Sequence, residues 1–438
     1  MSEWFSAHLQ VVYAVITIIV MMGVLQGVCA YLILLERKIC AFMQDRIGPN
    51  RVGPKGLLQP IADGLKFLFK EDIVPAYVDK VLYFAAPAIA VGTATLAFAV
   101  VPFGPTRVVE RVPPTRPQSP AITAAPLERQ AYDTAMRQYQ DAKGEYDRQV
   151  HNYETRYQFV IAPRIDIGIV FIFAVTSLAV YGIILAGWAS NSKYSFIGAL
   201  RSSAQLVSYE IPMGMSVLGV ILLTGSLNLE RIIDQQIHDG WNIWFQPAGF
   251  LLFLIAAFAE CNRLPFDLPE AEQELVGGYH TEYSAMKFAL FFLGEYTHMV
   301  TTSFLLAILF FGGWHFWWIS GLDSPWWVKV LVIWVKMFAF IVLYMLIRWT
   351  LPRFRFDQLM GLAWKVLIPL AFVNLVAVMV VMQIIENTGA NLAWRWVLLP
   401  IGIGMFVAMA IPALYWQSRG REIRIGADRE RNLTMAGH

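Results

Sequence analysis

The sequence predicts an all-α fold, that of a polytopic membrane protein, and three observations support this prediction. Of the 438 residues, 57% are hydrophobic and only 15% are charged, whereas a soluble globular chain carries about 25% charged residues. The apolar residues gather in continuous runs, and about 20 such residues in a helix cross the hydrocarbon core of a bilayer. The runs also lack the alternation of apolar and polar residues that barrel strands show, so helices are expected.

The apolar runs number about nine, and we expect each of them to form a transmembrane helix. They lie at residues 10–35, 81–102, 165–189, 204–226, 246–261, 286–313, 326–349, 365–385 and 395–416. The first ten residues contain no lysine or arginine, unlike the start of a signal peptide, so we expect the first run to be retained as a helix.

Lysine and arginine residues are distributed unevenly between the two sides of this arrangement. In the short connections most of them fall in the first, third, fifth and seventh, and the C-terminal tail adds five arginines. Because basic loops remain on the cytoplasmic side, we expect a cytoplasmic C-terminus and a periplasmic N-terminus.

The segment 103–163 does not resemble a membrane span. It begins with a proline-rich stretch, typical of an extended connector, and continues with charged residues among which tyrosines recur every seven positions. These are Tyr132, Tyr139, Tyr146 and Tyr153. The spacing predicts one long exposed helix. Its tyrosine stripe either docks a partner or packs on the outer face of this protein, and stripes at helical spacing usually pack.

The connection between the first two runs predicts an interfacial amphipathic helix. Apolar residues from Leu57 to Phe69 fall on one helical face, and the segment is too short and too polar to span. Asp63 and Lys66 lie three residues apart on the polar side and can pair. The helix serves either as a surface anchor or as one wall of a cavity for a lipid-soluble ligand with a polar head.

Three carboxylates lie within predicted spans: Glu210, Glu260 and Glu295. A charge at membrane depth costs about 2.5–3.5 kcal/mol on insertion scales, and burial moves the pKa of a carboxyl toward neutrality. We therefore interpret the three as a proton relay, the alternative being that each makes structural hydrogen bonds. Lys336 is a candidate positive partner for them. Asp267 and Glu270 have the spacing of a helix capping box.

Several other chemistries lack support in the sequence. Glu295 and His298 form one ExxH motif, but a di-iron site needs a second copy and two further glutamates. Cys29, Cys40 and Cys261 are far apart and predict neither a disulfide nor a metal centre. No nucleotide-binding or haem-attachment motif is present, and the net charge of +2 does not favour a nucleic-acid partner.

A basic connection at residues 348–365 complements an acidic one at residues 259–283. The first gathers Arg348, Arg353, Arg355 and Lys365 around an aspartate, and both connections are expected on the same side of the membrane. We expect the two to pair and to form a surface for a soluble partner.

Taken together, the motifs resemble those of the H subunit of bacterial NADH:quinone oxidoreductase (respiratory complex I), whose mitochondrial counterpart is ND1. The matching stretches are "ERK" (36–38), "DRIGPNRVGPKGLLQPIADGLK" (45–66), "AQLVSYE" (204–210), "AECNRLPFDLPEAEQELVGGYHTEY" (259–283), "MKFALFFLGEY" (286–296) and "PRFRFDQLMGLAWK" (352–365). With the spans between them they extend over most of residues 1–385.

The resemblance implies a membrane-arm subunit that forms the chamber through which quinone enters and an acidic channel that couples quinone reduction to proton translocation. It implies that the quinone chamber is lined or supported by Glu36, Arg37, Arg46, Asp63, Lys66 and Arg263. The implied proton pathway consists of Glu210, Glu260, Glu270, Glu272, Glu274, Glu282 and Glu295. The expected partners are other complex I subunits, quinone and membrane lipid. The chain itself would hold no cofactor or metal, since FMN and iron–sulfur clusters belong to partner subunits.

The resemblance also sets the expected organisation and the alternatives to it. We expect two helices and the quinone-site loop in 1–102, the periplasmic insert in 103–163, helices three to eight in 164–385, and a ninth helix with a basic tail in 386–438. The family core has eight helices, so the insert and the ninth helix are departures from it. One alternative is the homologous subunit of a membrane-bound hydrogenase or another ion-pumping complex. A solitary secondary transporter is another, but the internal repeats usual in transporters are not found.

Overall fold

The computed structural model describes residues 2–106, 117, 126–155, 159–162, 165–267, 276–316, 319–321, 324–388, 392–405 and 407. Helices dominate this part of the chain, which contains no β-strand among its named elements. The helices are α1 (Ser2–Met43), α2 (Gln59–Phe69), α3 (Lys80–Ala97), α4 (Pro126–Thr155), α5 (Gly168–Ala189), α6 (Lys193–Thr224), α7 (Leu229–Asp239), α8 (Asn242–Phe245), α9 (Pro247–Glu260), α10 (Ala285–Phe310), α11 (Trp326–Thr350), α12 (Phe356–Leu362) and α13 (Ile368–Thr388). A shorter apolar helix, α14, covers Arg395–Met405. The predicted all-α polytopic fold is confirmed.

Seven helices within the described residues are long and apolar enough to cross a membrane. They correspond to seven of the predicted runs, with α12 and α13 joined into one span through a π-helical turn at Ala363–Leu367. The run at 246–261 forms only the 14 residues of α9, about 21 Å of helix at 1.5 Å per residue. That length is less than the hydrocarbon thickness, and the short helices α7 and α8 precede it. The helix therefore lies where the run was predicted, but it is shorter than a full membrane span.

Helix α10 forms the centre of the bundle. In its most apolar window 83% of the residues are buried inside the protein, against 28% for α1. Helices α1, α3, α9 and α11 pack around it. A helix that is apolar on all sides and enclosed in this way forms a core rather than a lipid-facing wall. Polar residues on α10 are therefore held inside the protein, and their partners come from the backbone of α10 itself or from neighbouring elements.

The segment 103–163 contains one long helix, α4, as predicted. Tyr132, Tyr139 and Tyr146 are half-buried, whereas most of the charged residues between them are exposed. The side chain of Tyr153 lies outside the described residues. Phe103 N donates to Phe159 O at 2.9 Å, so the two ends of the insert are held together.

The C-terminal helix α14 packs on α8 and α13. Leu398 is buried with Phe245 and Val378, and the Trp396 ring lies 5.1 Å from that of Phe245. The predicted span at 395–416 is described only as far as residue 407, and the basic tail that was expected after it lies outside the described residues.

Candidate functional site

A large cavity lies between α1, α2 and α10, with a volume of about 820 Å³. Four of the six residues predicted for a quinone chamber line it: Glu36, Arg37, Asp63 and Arg263. Much of the remaining wall is apolar, with side chains such as Ile33, Phe67 and Phe292. The cavity therefore combines a greasy surface with a small number of charged groups.

Glu36 is the centre of the charged group in this cavity. Its side chain comes from α1 and is only 8% exposed. Tyr296 Oη donates to Glu36 Oε2 at 2.6 Å, Arg263 Nη1 lies 3.4 Å from Oε1, and Arg348 forms a second ion pair with the same carboxylate. The Arg263 guanidinium also lies 4.2 Å from the centre of the Tyr296 ring, within the range of a cation–π contact. One carboxylate therefore holds two cations, and the group carries net positive charge.

A separate ion pair, which does not involve Glu36, connects the interfacial helix α2 to α1. Arg37 Nη1 donates to Asp63 Oδ2 at 2.7 Å, and Gln59 Nε2 donates to Asp63 Oδ1 at 3.0 Å. The prediction that Asp63 pairs with Lys66 was wrong, because the end of α1 brings Arg37 closer to the carboxylate. Lys66 is exposed, and it does not line the cavity.

Arg46 also lies away from the cavity, although it was predicted for it. Its side chain is exposed, and Nε donates to Gln44 Oε1 at 2.8 Å. The basic connection does reach the acidic one as predicted, since Arg353 Nη2 lies 3.1 Å from Asp267 Oδ2. The capping box expected for Asp267 and Glu270 lies partly outside the described residues.

The cavity opens beside the apolar face of α2. Pro60, Asp63 and Phe67 point into it from one side of this helix. Ile61 and Leu65 are exposed on the other side, while Leu68 both lines the cavity and is 63% exposed. Leu68 therefore marks the mouth of the cavity, next to a surface that suits lipid.

A second, much smaller cavity brings together the three carboxylates predicted within spans. Glu210 of α6, Glu260 of α9 and Glu295 of α10 line a space of about 50 Å³. Such a volume holds a few water molecules, since about 10–15 Å³ of this measure accommodates one. Tyr279 and His298 line it as well. Three acids that are far apart in the sequence thus share one polar pocket inside an apolar bundle.

Hydroxyl groups hold two of these carboxylates in place. Tyr279 Oη donates to Glu295 Oε1 at 3.1 Å, and the Ser177 hydroxyl donates to Glu210 Oε1. Each of these bonds engages one oxygen of its carboxylate. The carboxylates are therefore fixed in orientation while facing a common space.

Helix α10 is the wall between the two cavities. The large cavity is lined by Phe288, Ala289, Phe292, Leu293 and Tyr296, and the small one by Phe291, Gly294, Glu295 and His298. Because successive residues of a helix are rotated by about 100°, Glu295 and Tyr296 face different cavities. The same division recurs after α9, where Glu260 and Asn262 line the small cavity and Arg263 lines the large one.

Gln205 holds the end of α9 and the turn after it, whose residues line both cavities. Sequence analysis missed this residue. Its side-chain amide is fully buried. Nε2 donates to Ala259 O at 2.8 Å and to Phe266 O at 2.9 Å, and lies 3.2 Å from Asn262 Oδ1. A glutamine inside an apolar run was the signal that could have identified it, since buried amides need partners.

The remaining predicted residues are placed as follows. Glu270, Glu272 and Glu274 lie outside the described residues. Glu282 is half-buried, and its backbone carbonyl accepts from Tyr83 Oη at 2.7 Å. Its side chain lines neither of the two cavities. Nowhere in the described ranges do three or more His, Cys, Asp or Glu residues come together as they would around a metal ion.

Lys336 does not pair with the three acids as expected. Its ammonium donates to the backbone carbonyls of Phe311, Gly313 and His315 at 2.6, 2.9 and 2.6 Å. Phe311 is the C-terminal cap of α10, where helix carbonyls carry partial negative charge, and the other two carbonyls belong to the loop that follows. Lys336 therefore caps the central helix.

His280 follows Tyr279 in the connection before α10. Burial lowers the pKa of this imidazole to about 4, so the ring is neutral near pH 7. Nδ1 donates to the carbonyl of Gly277, and the ring packs against Phe288 and Phe292. The side chain is thus a neutral packing element that fixes the turn carrying Tyr279.

Comparison with known proteins gives a consistent result. The model of the NADH dehydrogenase family matches residues 15–379. The NADH-quinone oxidoreductase H subunit number 2 of Koribacter versatilis is 45% identical over 382 residues, which cover 84% of this chain and 97% of that protein. The H subunit number 1 of the same enzyme from Cytophaga hutchinsonii is 44% identical over 345 residues, covering 78% and 88%. NADH-quinone oxidoreductase subunit 8 of Rhodothermus marinus is 43% identical over 361 residues, covering 79% and 90%.

The matched residues include every helix that lines the two cavities, and the matches extend over most of each relative. The chain is therefore a multi-pass membrane protein that belongs to the NADH dehydrogenase family and is similar to the H subunit of NADH-quinone oxidoreductase.

Proposed function

We propose that this chain is a membrane-arm subunit of a proton-pumping NADH:quinone oxidoreductase, a translocase of the cell inner membrane. In this proposal it forms the chamber through which quinone enters and an acidic channel that couples quinone reduction to proton translocation. The observation that carries the proposal is the arrangement of the two cavities on opposite faces of α10. The partners are the other subunits of the complex, which supply FMN and iron–sulfur clusters, together with quinone and lipid.

The large cavity suits a quinone in size and chemistry. Its volume of about 820 Å³ falls within the range of about 300–1,000 Å³ that is usual for ligand pockets. The apolar wall suits an isoprenoid tail. The net positive group around Glu36 and Arg263 suits the carbonyl oxygens of the headgroup, which gain negative charge when they are reduced.

The two cavities are close enough for a change of charge in one to influence the other. Tyr296 binds the carboxylate of Glu36, and its neighbour Glu295 lines the acidic pocket. At a given distance, electrostatic interactions are stronger in a low-dielectric interior than in water. Movement of Glu36, Arg263 or Tyr296 on quinone reduction would therefore change the proton affinity of the acids behind α10.

The orientation of the chain supports the same proposal. The large cavity receives Asp63, Arg263 and Arg353 from the first, fifth and seventh predicted connections. By the distribution of basic residues these connections are cytoplasmic, with the N-terminus periplasmic and the C-terminus cytoplasmic. The chamber then opens on the side where a soluble arm that oxidises NADH would dock.

The quinone part of the proposal is tested by replacing Arg263. In the purified complex we expect Arg263→Gln to lower NADH-driven quinone reduction several-fold while leaving electron transfer from NADH to an artificial acceptor unchanged. Arg137→Gln is the matched control, because Arg137 lies exposed on α4. Equal loss of both activities in Arg263→Gln would assign the residue to assembly and contradict the proposal.

The proton part is tested by replacing Glu295. In proteoliposomes we expect Glu295→Gln to reduce the number of protons translocated per quinone reduced, while the complex still assembles. Glu386→Gln on the exposed end of α13 is the matched control. Full translocation in Glu295→Gln would remove the acidic pocket from the proton pathway.

A further inference from the structure

His298 contributes an unexplained polar group to the acidic pocket. It lies three residues after Glu295 on the same face of α10, and its side chain lines the pocket. Nδ1 is buried and has no hydrogen-bond partner among the described residues. Its backbone carbonyl accepts from Thr302 Oγ1 at 3.0 Å, so the helix fixes the position from which the ring projects.

A buried nitrogen of this kind needs a partner. Leaving it unsatisfied costs about 1–3 kcal/mol, and native structures avoid that cost with protein groups or ordered water. The pocket has about 50 Å³ of space, enough for a few water molecules. Such water also needs two to four polar partners, and the surrounding carboxylates and hydroxyls provide them.

The polar groups that line the pocket with His298 come from several elements, whereas α3 provides only Ala90. They are Thr176 and Ser177 of α5, Glu210 of α6, Glu260 of α9, Asn262 of the following turn, Tyr279 of the connection before α10, and Glu295 of α10. Among the described lining residues these include three carboxylates, and neither lysine nor arginine. Among the described residues that line the pocket, His298 thus carries the one basic side chain. When protonated it would face an excess of negative charge.

We propose that His298 binds water in the pocket through Nδ1 and acts as a fourth proton-exchanging group beside Glu210, Glu260 and Glu295. This inference rests on the proposed function, because it gives the acidic channel a further member. A proton leaves one carboxylic acid through water and reaches Nδ1, which produces a carboxylate and an imidazolium. The imidazolium then releases the proton through water to a second carboxylate. The O–H bond of the first carboxylic acid is broken and an O–H bond forms on the second carboxylate. No electron is transferred.

Two variants separate proton exchange from simple packing. His298→Gln retains hydrogen-bonding groups but cannot titrate near neutral pH, and His298→Phe fills the space without a polar atom. The matched control is His238→Gln, because the His238 side chain is 66% exposed on α7. All three are prepared in the assembled complex, in proteoliposomes. Coupled quinone reduction and protons translocated per quinone are then measured at neutral pH.

We expect His298→Gln to lower coupled turnover several-fold and to reduce the number of protons translocated per quinone. We expect His298→Phe to have a larger effect on translocation, because it also displaces water. Electron transfer to an artificial acceptor should be unchanged in both, and purification of the intact complex excludes failed assembly. A coupled turnover and a translocation ratio equal to those of the parent complex in His298→Gln would overturn the inference.

Including Glu295→Gln in the same series distinguishes this inference from the proposed function. If Glu295→Gln impairs translocation and His298→Gln does not, only the role of His298 is rejected. If neither variant impairs translocation, the acidic pocket is not a proton pathway and both proposals are rejected.

Discussion

Tyr296 Oη and Glu36 Oε2 are joined by a hydrogen bond of 2.6 Å across the interior of the large cavity. The bond connects the central helix α10 to the end of α1. Because the residue before Tyr296 faces the acidic pocket, the backbone of α10 connects the two cavities through adjacent residues. This relationship suggests where coupling can be tested most directly.

Replacing Tyr296 by phenylalanine should remove that bond while keeping the ring beneath Arg263, which lies 4.2 Å away. Hydrogen bonds to charged groups contribute about 1.5–3 kcal/mol, so we expect quinone reduction to fall several-fold in an assembled complex. Steady-state assays with quinone and with an artificial acceptor provide the measurement. Tyr181→Phe, on an exposed face of α5, should behave like the parent complex. Unchanged quinone reduction in Tyr296→Phe would contradict the importance of this contact.

Replacing Gln205 by methionine should destabilise the protein, because the carbonyl oxygens of Ala259 and Phe266 lose their donor. We expect the free energy of unfolding to fall by about 1–3 kcal/mol, measured as a lower melting temperature of the purified complex. Gln383→Met is the control, since Gln383 is exposed on α13. A melting temperature equal to that of the control variant would show that Gln205 does not hold this segment.

The stability of the protein should depend on the protonation of His280. Burial lowers its folded pKa from 6.5 to about 4, so the unfolded chain takes up the proton first as pH falls. The stabilisation is complete above about pH 6.5 and is lost progressively toward pH 4, in total about 3 kcal/mol at 1.36 kcal/mol per pKa unit. Melting temperatures measured across this range should therefore fall less steeply in His280→Asn. The exposed His238→Asn should follow the parent complex, and a parent-like slope in His280→Asn would refute the assignment.

Replacing Asp239 by asparagine should loosen the C-terminal helix. Arg395 Nη1 lies 2.6 Å from Asp239 Oδ2, with the two side chains 13% and 24% exposed. Loss of a charge-assisted hydrogen bond costs about 1.5–3 kcal/mol, so we expect faster proteolytic cleavage after α13. Asp234→Asn on the same helix α7 is the control, because that side chain is half exposed. Equal cleavage rates in the two variants would show that the ion pair does not dock α14.

The acidic pocket could be predicted because its members are conspicuous in the sequence. A carboxylate within an apolar run is costly in a membrane, and three such residues indicated a shared purpose before any geometry was known. Glu210, Glu260 and Glu295 do line one cavity. Their roles as a proton pathway remain predictions, since proximity alone does not show proton movement.

Partners formed in the tertiary structure could not be predicted in the same way. The helical spacing suggested Lys66 for Asp63, but Arg37 on another helix lies closer. Lys336 caps the end of α10 rather than meeting an acid, because strongly polar carbonyls happen to lie within reach. Local spacing predicts only neighbours on the same helix, and contacts between helices depend on packing angles that one sequence does not reveal.

The position of Leu68 has a consequence for how ligand affinity should be expressed. This side chain belongs both to the cavity wall and to the outer apolar surface of α2. If the cavity takes quinone as proposed, that substrate can arrive sideways from the acyl chains without crossing water. Its effective concentration is then its mole fraction in the bilayer. Michaelis constants stated per volume of buffer should change with the ratio of lipid to protein, whereas constants stated per lipid should not.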